Sequence, residues 1–102
     1  MAWYIVYRGL GRSKSGKTYR RTYVKKIAVG DVVSKPRIVR VFYDSLTKHL
    51  LIEIEYKKYR KYRGGKKHVR TYRRTEVLGQ YVDPGSVEIT KNPPSGPKID
   101  RR

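Results

Sequence analysis

Hydrophobic and polar residues alternate with a period of two along most of the chain, the period of a β-strand that buries one face. Residues 2–8, AWYIVYR, place Trp3, Ile5 and Tyr7 on one face and Tyr4 and Val6 on the other, which predicts a strand covered on both sides. From Thr18, TYRRTYVKKIAV sets Tyr19, Arg21, Tyr23, Lys25 and Ile27 against Arg20, Thr22, Val24 and Lys26, a second strand. Arg37 to Tyr43, RIVRVFY, and Leu50 to Tyr56, LLIEIEY, flank the turn residues Asp44 to Lys48 and form the clearest hairpin. Its second strand aligns Leu50, Ile52, Ile54 and Tyr56 on a core face and Leu51, Glu53 and Glu55 on the other, where the glutamates are expected to pair with Arg37 or Arg40.

Between these strands the pattern breaks in three kinds of place. Gly9 to Lys17, GLGRSKSGK, has three glycines, two serines and three basic residues, and predicts a flexible loop. Gly30, Asp31, Ser34, Lys35 and Pro36 mark a turn or crossover around Val32 and Val33. Glu76 to Val82, EVLGQYV, reads as a short helix or strand, followed by the turn Asp83-Pro84-Gly85-Ser86 and a last strand, Val87 to Thr90. From Lys91 to Arg102, KNPPSGPKIDRR predicts an extended Pro-rich tail. The fold class is thus mainly β: residues 1–90 form one small antiparallel sheet or partly open barrel with basic hairpin extensions and at most one short helix, and residues 91–102 form the tail.

The stretch Tyr56 to Arg74, YKKYRKYRGGKKHVRTYRR, continues the last core strand with ten basic residues and no acid. Tyr56, Tyr59 and Tyr62 recur every third residue, as along one side of a helix. Like charges at i, i+4 oppose a helix, however, and the β-rich flanks with Gly64-Gly65 favour a strand to Arg63, a tight turn, and a return from Lys66 to Thr75. A hairpin of that length projects beyond the core.

Charge gives these elements a purpose. The 102 residues carry a net charge of +18 and are 37% hydrophobic, so one thin core must hold together against its own repulsion. The excess sits in two acid-free blocks: eight basic residues before Asp31 and the ten between Tyr56 and Arg74. Solvated faces carry mixed signs, so these blocks point to a polyanionic partner, RNA or DNA. An anionic membrane would call for an amphipathic helix with an apolar face, which the tyrosine-bearing basic stretches do not supply. No apolar run reaches the roughly 20 residues of a transmembrane helix and the N-terminus lacks a signal-peptide layout, which points to a soluble, cytoplasmic protein.

Catalytic and metal chemistry find little support. Without cysteine there is no disulfide framework or zinc ribbon, and His49 and His68 lack neighbours at ligand spacing, so no metal or other cofactor is expected. Gly11 to Thr18 spells GRSKSGKT, a literal Walker A match, but the residues after it alternate as a strand where a P-loop needs a helix; the segment reads as a basic hairpin tip. No Gly-x-Ser-x-Gly elbow is present. A small basic endoribonuclease using His68, Arg70 and Tyr72 is the one enzymatic alternative.

Binding accounts for more of the residues. The candidate contacts are Arg8, Arg12, Lys14, Lys17, Arg20 and Arg21 in the first block. The second contributes Lys57, Lys58, Tyr59, Arg60, Lys61, Tyr62, Arg63, Lys66, Lys67, His68, Arg70, Tyr72, Arg73 and Arg74, and the tail Lys98, Arg101 and Arg102. The cations would neutralise phosphates, while Tyr59, Tyr62 and Tyr72 would stack on unpaired bases. Tyr4, Tyr7, Tyr43 and Tyr56 are expected to pack in or beside the core.

A Cys-free, highly basic β-rich chain with a single Gln80, a single Asn92, glycine-rich basic loops and a Pro-rich, Arg-terminated tail resembles, in style over its whole length, the small lineage-specific ribosomal proteins of hyperthermophilic archaea, those of the large subunit above all. The resemblance implies a non-enzymatic, rRNA-binding role in the ribosome, beside neighbouring ribosomal proteins and largely through shape and backbone. The second likeness is to thermophile chromatin proteins that coat duplex DNA without sequence preference.

Overall fold

The computed structural model describes residues 2–27, 30, 32–61, 64–65 and 67–94. The strands are β1 (Trp3–Arg12), β2 (Thr18–Ile27), β3 (Arg37–Tyr43), β4 (Leu50–Lys61), β5 (Lys67–Gly79) and β6 (Glu88–Thr90). They form two open antiparallel sheets in the orders β2-β1-β6 and β3-β4-β5. The mainly β architecture with basic hairpin extensions is the one expected from the period-two pattern.

The core lies between the sheets. Trp3, Ile5 and Tyr7 of β1, Ile27 of β2 and Ile89 of β6 meet Leu50, Ile52 and Ile54 of β4 and Leu78 of β5, with Val82 at one end. Ile5, Ile52 and Ile54 are wholly excluded from solvent, and each such side chain stabilises the fold by about 1.5–3 kcal/mol. Val6, on the other face of β1, is buried too, so this strand is covered on both sides as its sequence suggests.

Three expectations need correction. The glycine-rich segment is mostly strand: β1 runs on through Gly9 and Gly11 to Arg12 and pairs with β2 as far as Arg12↔Thr18, leaving only 13–17 as the turn. Of the two readings of Glu76 to Val82, the helix is absent and the strand holds only as far as Gly79. Glu76 and Leu78 alternate into the interior as the end of β5, and the chain leaves the sheet through Gly79 (φ 111°) and Tyr81 (φ 57°). Among the described residues the only helical turn is the three-residue 3-10 turn Pro84–Ser86, capped by Asp83, whose side chain accepts from the Gly85 N–H. Tyr43 is exposed rather than packed: it is the last residue of β3, the strand at the edge of its sheet.

The strand reading of Tyr56 to Arg74 holds. β4 and β5 pair continuously from Leu51↔Val77 to Lys61↔Lys67, and Gly64 and Gly65 both take positive φ (89° and 82°), the geometry L-residues avoid. Tyr62, Arg63 and Lys66, and with them the final pairs expected before the turn, lie outside the described residues. So does the tail beyond Pro94.

Ion pairs join the sheets and stiffen the second. Glu76, buried on the core face, is reached by Lys25 of β2 (3.3 Å) and Arg74 of β5 (2.8 Å), one cation from each sheet. On the outer face Glu55 accepts from Arg37 (2.9 Å) and Arg73 (3.3 Å), and Glu53 from Arg40 (3.1 Å). The expected partners of Glu53 and Glu55 are therefore present, and Arg73 joins them. The Arg37 hydrogen bond is the main reason the Glu55 carboxyl titrates below its usual range.

The contacts between sheets set the direction of the two long hairpins. Gly9 bridges Val82, and the Leu10 N–H donates to the Tyr81 carbonyl (3.1 Å), just past the Leu50↔Gly79 end of β4 and β5. At the other end, past the Trp3↔Ile27 pair, Val32 bridges Lys58 and the Val33 N–H donates to the Lys57 carbonyl (2.8 Å). The β1–β2 tip thus extends past one end of the core and the β4–β5 tip past the other, along a molecule 60 Å long and 19 Å thin.

Candidate nucleic-acid interface

Each hairpin leaves the core through a stacked pair of cross-strand tyrosines. In β1–β2 these are Tyr7 and Tyr23, with ring centroids 5.2 Å apart, and in β4–β5 they are Tyr56 and Tyr72, 5.7 Å apart. Beyond each pair five further residue pairs continue the ribbon, to Arg12↔Thr18 and to Lys61↔Lys67. At about 3.4 Å per residue each arm adds roughly 17 Å of paired backbone. No acidic residue lies in 8–22 or 57–71.

On the first arm the face that continues the core carries glycine on β1 and long side chains on β2. Gly9 stands opposite Arg21, and Gly11 opposite Tyr19. The Arg21 guanidinium lies over the Tyr23 ring (5.4 Å) and the Tyr19 ring (5.6 Å), so Tyr7, Tyr23, Arg21 and Tyr19 form one ladder. Glycine is what lets this ladder lie flat. A Cβ on Gly11 would stand 2.5 Å from Arg21 Cδ, and one on Gly9 would stand 2.9 Å from the Tyr81 carbonyl oxygen. The glycines that make the Walker-like string are the floor of a side-chain ladder, and the remainder, Ser13 to Lys17, is a hairpin turn closed by the Ser13 N–H donating to the Lys17 carbonyl (2.9 Å). Arg8, Arg12, Lys14, Lys17 and Arg20 are exposed around it.

On the second arm the corresponding face carries Lys58 and Arg60 on β4 against Arg70 and His68 on β5. Lys58 Nζ sits over the Tyr72 ring (5.8 Å) and Arg60 donates to the Tyr72 hydroxyl (3.4 Å). That hydrogen bond, with the charges of Arg60, Arg70 and Lys58, draws the hydroxyl below the ordinary phenol range. The opposite face presents Lys57, Tyr59 and Lys67, with Lys67 Nζ 5.9 Å above a Tyr59 ring that is 54% exposed. His68, Arg70 and Tyr72 do share one face of β5, on an open ribbon.

The expected contacts thus divide into groups. Those of the two arms come together on two basic, ring-bearing surfaces. Arg73 and Arg74 stand back from the second arm, bound to Glu53, Glu55 and Glu76. Lys61 is placed by its backbone pairing alone, and Tyr62, Arg63, Lys66, Lys98, Arg101 and Arg102 lie outside the described residues. Of the tyrosines expected to pack, Tyr7 is buried, Tyr56 is packed against the core and Tyr4 is half-buried; burial raises the Tyr7 hydroxyl above the usual phenol range.

Tyr81 escapes any reading of the chain. Its backbone sits in the left-handed region (φ 57°) and its ring is 67% exposed. It borders a cleft of about 330 Å³ between Arg8 and Arg20, with Leu10, Val82 and Asp83 as the other side-chain walls. Tyr19 and Tyr23 are missed as well, although their alternation with Arg21 opposite two glycines is visible once the β1–β2 register is known.

Among the described residues no three His, Cys, Asp or Glu side chains come together as a metal site, and no helix is long and apolar enough to cross a membrane. Comparison with known protein families, known proteins and solved structures finds no match.

Proposed function

We propose that the protein is a structural RNA-binding component of an archaeal ribosome. It binds rRNA through its two basic arms and its C-terminal tail, beside neighbouring ribosomal proteins. The observation that carries this reading is the build of the arms: ribbons free of acidic residues, in which cations lie over tyrosine rings. Lys and Arg neutralise phosphates, and exposed rings such as Tyr59 offer stacking platforms for unpaired bases, which structured RNA presents and intact duplex DNA does not. The fold without substrate is a scaffold for these arms, with no catalytic step and no cofactor in its work.

Two measurements test the proposal. In a sucrose gradient at moderate salt the protein should travel with ribosomal subunits; recovery only with chromosomal DNA would overturn the RNA assignment in favour of duplex coating. For the purified protein, replacing Lys57, Lys58, Lys67 and Arg70 by Gln should lower the slope of log K against log salt by roughly 0.7–0.9 for each phosphate no longer neutralised, weakening RNA binding on the order of 10²-fold near 0.15 M salt. An unchanged slope would show that this arm does not touch phosphate, and RNA cleavage dependent on His68 or Tyr72 would replace the scaffold reading with a nuclease.

A further inference from the structure

We infer that one chain joins two separate RNA segments, one held on each arm. This rests on the RNA-binding reading and adds geometry to it. The arms leave opposite ends of the core, as the Gly9–Val82 and Val32–Lys58 bridges require. The molecule is 60 Å in its longest dimension and 19 Å in its thinnest. A segment held at one tip is therefore out of reach of the other tip unless it lies along the whole body.

The middle of the molecule opposes that second arrangement. Glu53 and Glu55 on the outer face and Glu76 on the core face lie there and draw in Lys25, Arg37, Arg40, Arg73 and Arg74, so these five cations already hold carboxylates. Either arm is complete without the other. Each has its own stacked tyrosine pair at the root, five residue pairs of ribbon and a cation laid on an aromatic ring. A two-stranded ribbon is slender, with strands about 5 Å apart, so each arm can enter RNA that the thicker core cannot. Positive ends joined by a waist whose arginines hold carboxylates describe a strut, and a strut fixes the distance between the segments at its ends.

The experiment uses the full chain and two short RNA duplexes of about ten base pairs with unpaired overhangs, one immobilised and one fluorescent. At no more than roughly 3.4 Å per pair the paired part of each is little more than half the length of the molecule, and with overhangs kept short neither spans both arms. The protein should capture the fluorescent duplex on the immobilised one, and the signal should fall again when protein is in excess and each RNA binds its own chain. The complex should have the mass of one chain and two RNAs. Replacing Arg12, Lys14 and Lys17 by Gln, or Lys57, Lys58 and Lys67 by Gln, should leave one RNA bound per chain and abolish capture. Saturation at one RNA per wild-type chain, capture surviving in either variant, or a complex with two chains would overturn the bridge while leaving RNA binding intact. Failure to bind either duplex, or any larger structured RNA, would overturn both readings.

Discussion

The two arms share a plan and differ in how it is built. On the first, the strand opposite the ladder is emptied: Gly9 and Gly11 give up their side chains so that Tyr19 and Arg21 can lie across them. On the second, every position keeps a side chain, and the face is filled by repulsive neighbours such as Lys58 opposite Arg70. The first arm's rings and cations are packed against backbone and so held in place by the fold. On the second arm Lys58 and Lys67 lie instead over the rings of Tyr72 and Tyr59. One basic surface is thus ordered by subtraction of side chains and the other built by addition of charge.

The sharpest test of this difference lies at the roots. Tyr7 is buried and stacked, so Tyr7→Ala should cost about 3 kcal/mol or more, whereas Tyr72→Ala, half-buried at the second root, should cost about 1 kcal/mol. Denaturant unfolding measures both, and equal costs would mean that the second root is as much a part of the core as the first. Next comes the floor. Gly9→Ala forces a Cβ toward the Tyr81 carbonyl and should cost roughly 1–3 kcal/mol, while Val69→Ala on the exposed second ribbon should stay within about 0.5 kcal/mol. A silent Gly9→Ala would show that the ladder does not need its bare backbone.

The smallest effect separates the waist from both arms. Because Arg37 and Arg73 lower the Glu55 pKa in the folded state, its stabilisation is present above the unfolded value of about 4.3 and is lost as pH falls from there through the folded value. The Asp44 carboxyl, lowered chiefly by the Leu46 N–H, loses its contribution further down, as pH falls from its own unfolded value of about 3.9 through the folded value. A thermal-melt series from pH 6 down to pH 3 should show a small acid-side drop in Tm that Glu55→Gln reduces. A drop left unchanged by that substitution would assign the acid sensitivity to other carboxylates.

Much of this was legible in the chain because alternation is direct evidence of pleat. Leu50, Ile52 and Ile54 name the core face of β4, and Glu53 and Glu55 name their partners Arg37 and Arg40, with no further information. What was hidden depends on the neighbour strand. Glycine reads as loop from composition, yet Gly9 and Gly11 are strand residues because Arg21 and Tyr19 from across the sheet supply the surface they lack. Tyr43 and Tyr81 read alike as aromatic residues, and their exposure follows from place: the first ends an edge strand and the second lies in the turn after Gly79. The opposed directions of the arms follow from which residues cross between the sheets, information that resides in no single stretch.

The open sheets carry one last consequence. Neither closes, so β5 presents the unpaired side of a 13-residue edge strand in which Val69, Thr71, Thr75 and Val77 alternate with buried or basic positions. Such an edge is a template for adding a strand from another chain. Lys67 and Arg70 along it oppose that addition, because two copies aligned edge to edge would bring like charges together. The charge that the proposed function assigns to a polyanion thus has a second use, in keeping the open edge of one copy from that of another.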